Sequence, residues 1–338
     1  MRHGILGCLA VAGLLVSLLG CENGTSQTAA GAGAGGSTTS ADAESSPYIY
    51  DSVEIDGRDA ISVRILGSPD WLAADDEHVY VSRDEGGFNA LDPESAEVVS
   101  SFEIEGQRCQ GVGADAGEVW TCAGGDLLLV DPSSGDVKAS VPVTKASEQG
   151  HFVVGFGRVW VLEGDGTSLF GIDTDSNEPG EPIVLPIHGT DLAVSSDRIW
   201  VVSGTDSAAV EIDPESGTVG RRIDGLAGAR AAVAVPGALW VGGSLASYRI
   251  DVASGTVTTT VEGGIGYDGG ISTDDSSVWV RKGGLTLQRL DSATGDILEE
   301  ISADISEVAG RGGDILVAFD AIWVTFYDDA TLIRIPLS

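Results

Sequence analysis

An aromatic residue returns about every forty positions along this chain of 338 residues, each time inside a short run of apolar residues. Successive members of the series lie 39 to 44 residues apart, and six of the seven tryptophans belong to it. The members are Tyr80, Trp120, Trp160, Trp200, Trp240, Trp279 and Trp323. A sequence that repeats one phrase at this period is built from copies of one small unit, and each unit buries its apolar side against the next.

One repeat shows what the unit contains. Between Asp191 and Ile223, four short runs rich in Val, Ile and Ala alternate with polar turns, which predicts four strands. The last turn begins at Asp213, followed by proline and then glycine, residues that favour the bent and left-handed backbone of a tight turn. The same turn begins at Asp92, Asp131, Asp251 and Asp291. We therefore interpret these aspartates as turn formers rather than catalytic groups.

Seven such repeats follow one another, which predicts an all-β fold, a seven-bladed β-propeller of four-stranded blades. The repeats begin near Trp71, Gly111, Phe152, Leu192, Ala232, Ile271 and Ile315. The seventh repeat supplies only three strands, so we expect an N-terminal strand at about residues 61–66 to complete that blade and close the ring. The repeated Trp or Tyr is expected to pack between neighbouring blades.

A known repeat resembles the last blade. Ile322-Trp323-Val324-Thr325, followed by residues 328–335, is similar to the bacterial YVTN propeller repeats of about forty residues and, more distantly, to NHL-like propellers. The resemblance covers about residues 60–338. It rests on scaffold residues, so it implies the fold and leaves the activity open.

The first residues resemble the leader of a bacterial lipoprotein. Residues 5–20 form an apolar run that follows Arg2 and ends at Leu18-Leu19-Gly20-Cys21, a sequence similar to the lipobox. The resemblance implies a signal peptide at residues 1–20 and a lipid on Cys21. A flexible tether rich in Gly, Ala, Ser and Thr would then span residues 21–46, before a propeller domain at 47–338. We therefore expect a lipoprotein anchored on the extracytoplasmic side of a bacterial membrane.

The strong negative charge restricts the choice of partners. The chain has 52 acidic and 18 basic residues, a formal net charge of −34. Such a surface disfavours nucleic acid and anionic lipid headgroups. The acidity is typical of salt-adapted organisms, and attraction of a cationic ligand or calcium is the alternative. One loop from Asp173 begins like a calcium loop, but Glu178 stands where glycine is needed.

Two cysteines remain in the predicted propeller domain, Cys109 and Cys122. We predict that a turn at residues 114–117 places them opposite each other on an antiparallel pair of strands, within reach of a disulfide. Outside the cytoplasm such a bond can form. Neither cysteine shows the spacing of a metal or redox motif.

Ligands of propellers usually meet the loops that lead into the inner strands. Here these loops carry a ring of polar and aromatic residues that we take as the candidate binding rim. The ring consists of Asp70, Trp71, Arg108, Gln110, His151, His188, Asp191, Arg230, Tyr267, Asp268, Arg311 and Asp314. The three arginines could hold an anionic group. Alternatively, they pair with the aspartates in a solvated rim, the interpretation that we favour.

His151 and His188 fall at similar places in adjacent repeats, and Asp191 follows closely. They could belong to a divalent metal site or to an acid–base pair. We predict no catalytic residue, no metal site and no cofactor, and keep a divalent metal near the two histidines as the alternative.

The sequence therefore favours a binding scaffold over an enzyme. We expect a monomer, anchored to the membrane through lipid, that binds an unknown protein, glycan or small ligand on one propeller face. One alternative is a propeller enzyme, either a metal-dependent lyase or lactonase or a quinoprotein-like dehydrogenase. The other is a factor similar to the propeller lipoprotein of outer-membrane protein assembly.

Overall fold

A computed structural model describes residues 46–104, 111–115, 117–143, 152–265, 269–274, 276–303 and 312–337. Its regular structure consists of 29 strands, with no helix in these ranges. No segment of the described chain forms a helix with the length and apolar character needed to cross a membrane.

The strands form seven antiparallel sheets, which are the blades of a propeller. The first strand of each repeat lies innermost, and these strands contact one another around the ring. The innermost strands are β3 (Pro69–Ala74), β7 (Val112–Asp115), β11 (Phe152–Gly155), β15 (Asp191–Val194), β19 (Ala229–Val235), β23 (Ile271–Thr273) and β27 (Ile315–Ala318). We number the blades 1 to 7 in this order.

The second and third strands of each blade carry most of the buried apolar residues. The second strands are β4 (Val79–Arg83), β8 (Glu118–Ala123), β12 (Arg158–Leu162), β16 (Ile199–Ser203), β20 (Ala238–Gly243), β24 (Ser277–Arg281) and β28 (Ala321–Phe326). The third strands are β5 (Phe88–Leu91), β9 (Asp126–Val130), β13 (Ser168–Asp173), β17 (Ala208–Ile212), β21 (Ala246–Asp251), β25 (Thr286–Asp291) and β29 (Thr331–Pro336).

The fourth strands form the outer edges of the blades and are more exposed. In blades 1 to 6 they are β6 (Val98–Phe102), β10 (Val137–Pro142), β14 (Ile183–Val184), β18 (Val219–Asp224), β22 (Thr256–Glu262) and β26 (Ile297–Ser302). Blade 3 differs from the rest because its outer strand has only 2 residues.

The repeated aromatic residue packs between blades, as predicted. Trp120 of blade 2 clusters with Phe152, Val159 and Val161 of blade 3. The same relationship holds around the ring and across the closure, where Trp323 of blade 7 packs against blade 1. All six repeated tryptophans are at most 1 % exposed. Each blade therefore covers the apolar face of its neighbour, which is the main source of stability in this fold.

The aspartates at the third turn are turn formers, as predicted. Asp213 accepts hydrogen bonds on Oδ1 from the backbone N–H groups of Glu215 and Ser216, over 3.1 and 2.8 Å. Equivalent bonds occur at Asp92, Asp131, Asp251 and Asp291, and also at Asp173. The rejected calcium loop at Asp173 is thus a sixth copy of this turn.

Ring closure by the N-terminal part of the chain is confirmed, with one difference. The closing strand β2 spans Arg58–Arg64 and pairs with β29, where we expected residues 61–66. A further strand, β1 (Ile49–Ile55), pairs with β2, so the sheet of blade 7 has five strands. Asp56 and Gly57 join β1 and β2 at φ values of 50° and 77°, the left-handed backbone of a two-residue hairpin turn.

Candidate functional site

An axial cavity lies where the inner strands begin, with a volume of about 390 Å³. All seven blades contribute to its wall. We call this end of the ring the cavity face. The wall combines polar and apolar groups, and Leu72, Phe152, Leu192 and Ile271 are among its apolar residues. A concave apolar site with a few convergent polar groups is the usual form of a ligand pocket.

Four residues of the predicted rim line this cavity together. They are Trp71, Asp191, Arg230 and Asp314, from blades 1, 4, 5 and 7. Their side chains are all half-buried. The described rim therefore combines one aromatic group, one guanidinium and two carboxylates around a common space.

Asp70 is buried and does not belong to the cavity wall. Its backbone carbonyl accepts a hydrogen bond from the hydroxyl of Thr325 in blade 7. This contact links the ends of the ring, so Asp70 contributes to closure.

The two carboxylates of the wall connect neighbouring blades. Asp191 of blade 4 accepts a hydrogen bond on Oδ2 from the backbone N–H of Ala232 in blade 5, over 2.8 Å. Asp314 of blade 7 accepts one on Oδ2 from the N–H of Leu72 in blade 1, over 3.1 Å. Each aspartate thus holds the inner strand of the following blade in position. This fixes both the width of the cavity and the orientation of its carboxylates.

Ser272 makes a similar contact in blade 6. Its hydroxyl oxygen accepts a hydrogen bond from the backbone N–H of Val317 in blade 7, over 3.0 Å. Ser272 also lines the cavity. The wall is therefore tied from blade to blade by side chains that face it.

Arg281 is a residue that the sequence did not single out. It ends the second strand of blade 6 and is fully buried. Its guanidinium donates to the backbone carbonyls of Gly312 and Asp314, both over 3.2 Å, and lies 4.7 Å from the centre of the Phe326 ring. Arg281 therefore positions the segment that leads into the inner strand of blade 7. A charged residue directly after the apolar run Val278–Val280 was the available signal.

His188 is placed away from the cavity wall. Its imidazole Nδ1 lies 3.2 Å from Oδ2 of Asp206, and its side chain is 62 % exposed. The backbone N–H of His188 also donates to Asp206, and this bond is the main cause that lowers the pKa of that carboxyl. Ser203 donates to the same carboxylate oxygen over 3.0 Å. Asp206 thus organises a surface loop through the histidine and the serine together.

The described residues hold no group of three or more His, Cys, Asp or Glu side chains arranged to bind a metal. His151, the predicted companion of His188, lies outside the described residues. Six further candidate residues also lie outside the described residues. They are Cys21, Arg108, Gln110, Tyr267, Asp268 and Arg311. Their roles stay predictions, as does the anionic subsite that the three arginines could form.

The register of blade 2 differs from the one that we expected for the cysteines. Thr121 pairs with Val112, and the hairpin turns between Asp115 and Glu118. Cys122 is buried in β8, and Cys109 lies outside the described residues. The disulfide stays a prediction.

Comparison with known proteins supports the fold. No known protein family and no curated protein matches the sequence. Hydrazine synthase from Kuenenia stuttgartiensis is similar in structure, with a TM-score of 0.66 and 13 % identity, over 80 % of this chain and 96 % of that one. BamB from Moraxella catarrhalis has a TM-score of 0.61 and 13 % identity, over 85 % of this chain and 100 % of that one. At this identity the likeness shows the propeller fold alone.

Proposed function

We propose that this protein is a lipid-anchored binding scaffold of the bacterial cell envelope, and that its ligand or partner binds at the cavity face. The axial cavity carries this proposal. Trp71, Arg230 and two oriented carboxylates meet there beside apolar side chains of the inner strands. The volume of about 390 Å³ suits a small ligand or one side chain or sugar of a larger partner.

The bonds of the two carboxylates support binding rather than catalysis. Asp191 and Asp314 each hold a backbone N–H of the next blade. A general base must move a proton to or from substrate, whereas these groups maintain the ring.

The location in the envelope rests on the N-terminal sequence. The lipobox-like residues before Cys21 and the polar stretch after it support a membrane-anchored lipoprotein. The structural likeness to BamB concerns the propeller fold, so the proposed place in the envelope rests on the N-terminal sequence. Assembly of other envelope proteins is one form that the proposed binding role can take.

Site-specific photo-crosslinking in living cells tests the binding face. A photoreactive amino acid is placed at Trp71 or Arg230 on the cavity face. The matched control places it at Asp320, in the turn at the far end of the inner strand of blade 7. We expect a discrete cross-linked product from the two cavity-face positions and none from Asp320. Equal products from both faces, or product from Asp320 alone, would contradict a binding site at the cavity.

Metabolic labelling with a fatty acid tests the anchor separately. We expect the wild-type protein to incorporate label and to sediment with membranes, and Cys21→Ala to lose both properties. Cys122→Ala is the control, because a buried strand residue is not a lipidation site. Retention of label by Cys21→Ala would refute the lipoprotein assignment and leave the cavity proposal unaffected.

A further inference from the structure

A lateral groove with a volume of about 460 Å³ lies between the outer parts of blades 3 and 4. The short strand β14 and the residues just before it form one wall, and the third turn of blade 4 forms the other. We call this space the blade 3–4 groove. The third strands run away from the cavity face, so their turns place the groove at the far end of the ring. It shares no lining residue with the axial cavity.

Blade 4 shows how the corresponding groove beside blade 5 is filled. Arg221 of its outer strand donates from Nη2 to the carbonyl of Val252 over 3.1 Å and from Nη1 to that of Ala253 over 3.2 Å. Both carbonyls belong to the third turn of blade 5. Glu211 of the third strand pairs with the same guanidinium over 3.2 Å. A glutamate–arginine pair of blade 4 therefore fills the contact between these two blades.

Blade 3 has neither member of this pair. Its third and fourth strands pair in the same register as those of blade 4, at a spacing of forty residues along the chain. At this spacing Gly171 stands at the position of Glu211, and Glu181 stands at the position of Arg221. One of the two side chains is thus absent and the other has the opposite charge. The blade 3–4 groove is open because the side chains that fill its counterpart are missing.

The third turn of blade 4 is also packed less closely than the same turn in other blades. A Cβ atom placed on Gly135, Gly255 or Gly295, the turn glycines of blades 2, 5 and 6, would lie 2.7 Å or less from a side chain of the preceding blade. A Cβ atom placed on Gly217 of blade 4 would be 3.3 Å from its nearest neighbour, Ile183. Blade 3 therefore leaves space beside this turn.

The charges of the groove favour a cation. The carboxylates of Glu181 and Glu215 are exposed at its rim. Arg158 also lines the groove, but its guanidinium donates to the carbonyl of Pro214 over 2.9 Å and lies 5.6 Å from the centre of the Trp160 ring. An anion would therefore meet two carboxylates and a guanidinium that already has a partner. The net charge of −34 attracts a basic partner over longer distances as well.

We propose that the blade 3–4 groove binds an arginine side chain from a basic segment of a partner protein. The incoming guanidinium takes the place that Arg221 has in blade 4, beside the third turn of the next blade. Glu181 and Glu215 supply the opposite charge, and the planar fork of a guanidinium fits carboxylate and carbonyl oxygens better than an ammonium group does. The aliphatic part of the arginine lies along Ile183 and Val219. This site is additional to the one proposed at the cavity face.

Calorimetric titration of the purified full chain with short peptides tests the ligand class. One peptide carries a single arginine among glycine and serine residues, with both termini blocked. A second has citrulline in its place, which keeps the shape of the side chain and removes its charge, and a third has lysine. We expect the arginine peptide to bind at least tenfold more tightly than the citrulline peptide at 0.15 M salt, where attraction is screened beyond about 8 Å, with lysine between them. Equal binding of arginine and citrulline, or no binding of arginine, would overturn the proposal.

Glu181→Arg tests the location. In this variant the chain itself supplies an arginine at the position that Arg221 has in blade 4, so the affinity for the arginine peptide should fall at least tenfold. Glu94→Arg is the matched control, because it changes the charge equally in the third turn of blade 1, which has the same sequence, Asp-Pro-Glu-Ser. In that turn Ala96 is fully buried against the closing strand. The control should bind within about twofold of the natural chain. Equal losses in the two variants, or no loss in Glu181→Arg, would refute binding in the groove.

Disulfide exchange tests the position of the bound peptide directly. Glu215→Cys and Glu94→Cys place a thiol at equivalent exposed positions of the two turns. An arginine peptide with an activated disulfide beside the arginine should label Glu215→Cys at least fivefold faster than Glu94→Cys. The matching citrulline peptide should label both at similar rates. Equal labelling of the two variants by the arginine peptide would place its binding outside the blade 3–4 groove.

Discussion

The carboxylate of Asp314 in blade 7 accepts a hydrogen bond from the backbone N–H of Leu72 in blade 1, over 3.1 Å. Its other oxygen accepts the N–H of Ile315, over 2.8 Å. One side chain therefore joins the inner strands on either side of the ring closure. Because Asp314 also lines the cavity, the closure of the ring and the shape of the candidate site depend on the same residue.

Replacement of Asp314 should weaken the fold measurably. In Asp314→Ala the N–H of Leu72 loses its partner at a half-buried position, so we expect the free energy of unfolding to fall by about 1–3 kcal/mol. Asp314→Asn should lose less stability than Asp314→Ala, because the amide oxygen can still accept one of the two hydrogen bonds. Chemical denaturation measures both. Equal stability of Asp314→Ala and the natural protein would show that the contact does not hold the closure.

Arg281 should matter more for stability than a comparable exposed arginine. In Arg281→Met the carbonyls of Gly312 and Asp314 lose a buried charged donor, and we expect a loss of about 3 kcal/mol in the free energy of unfolding. The control is Arg289→Met, whose guanidinium is 33 % exposed and lies over Trp279. Denaturant titration should show the larger loss for Arg281. Similar losses would mean that burial of Arg281 has no special role.

Features with a local sequence signature were predictable. The repeated tryptophan needs an apolar neighbour in the next blade, and the turn at Asp213 needs its own side chain and the following backbone N–H groups. Both patterns act within a few residues or recur at a fixed period. The number of blades, the closure and the position of Trp71 and Asp314 beside the axis followed from them.

Features that stand outside the repeats, or that depend on contacts distant in sequence, were missed. Strand β1 follows from the Asp56-Gly57 turn, a hairpin signal that stands outside the repeats. The burial of Arg281 depends largely on carbonyls of the next blade, which lie more than 30 residues away in the sequence. The hairpin of blade 2 turns between Asp115 and Glu118, a register that the turn residues alone do not fix.

Tyr48 and Tyr50 of the N-terminal segment should contribute unequally to the stability of the fold. Asn89 is buried and donates from Nδ2 to the hydroxyl of Tyr48 over 2.8 Å, while its Oδ1 has no hydrogen-bond partner. Tyr48→Phe leaves this amide without a partner, so we expect a loss of about 1–3 kcal/mol in the free energy of unfolding.

Tyr50→Phe removes only the bond from the N–H of Val98 at an exposed edge. We expect the free energy of unfolding to fall by about 0.5 kcal/mol or less, because water can replace the hydroxyl. Thermal and chemical unfolding of the two variants gives the comparison. A larger loss in Tyr50→Phe than in Tyr48→Phe would indicate that the segment is held by the strand edge rather than by Asn89.

The turn aspartates should make the protein sensitive to acid. The hydroxyl of Ser133 donates to Asp131 over 2.6 Å, and together with the Ser133 N–H it lowers the pKa of Asp131 from 3.8 to about 2. A pKa that is lower in the folded state stabilises the fold above pH 4, and this contribution disappears as the pH falls towards 2. The pKa values of Asp92, Asp173, Asp213, Asp251 and Asp291 are lowered by equivalent bonds.

Denaturation of the natural protein and Asp131→Asn at pH 6, 4 and 2 tests this linkage. Asparagine keeps the acceptor of the turn but has no charge to lose. We expect the natural protein to be the more stable at pH 6 and the difference to become small at pH 2, where Asp131 is about half protonated in the folded state. Ser133→Ala removes the strongest of the bonds that lower the pKa of Asp131, so its stability should depend less on pH between 4 and 2. A difference between the natural protein and Asp131→Asn that is the same at all three pH values would show that the Asp131 charge does not stabilise the turn.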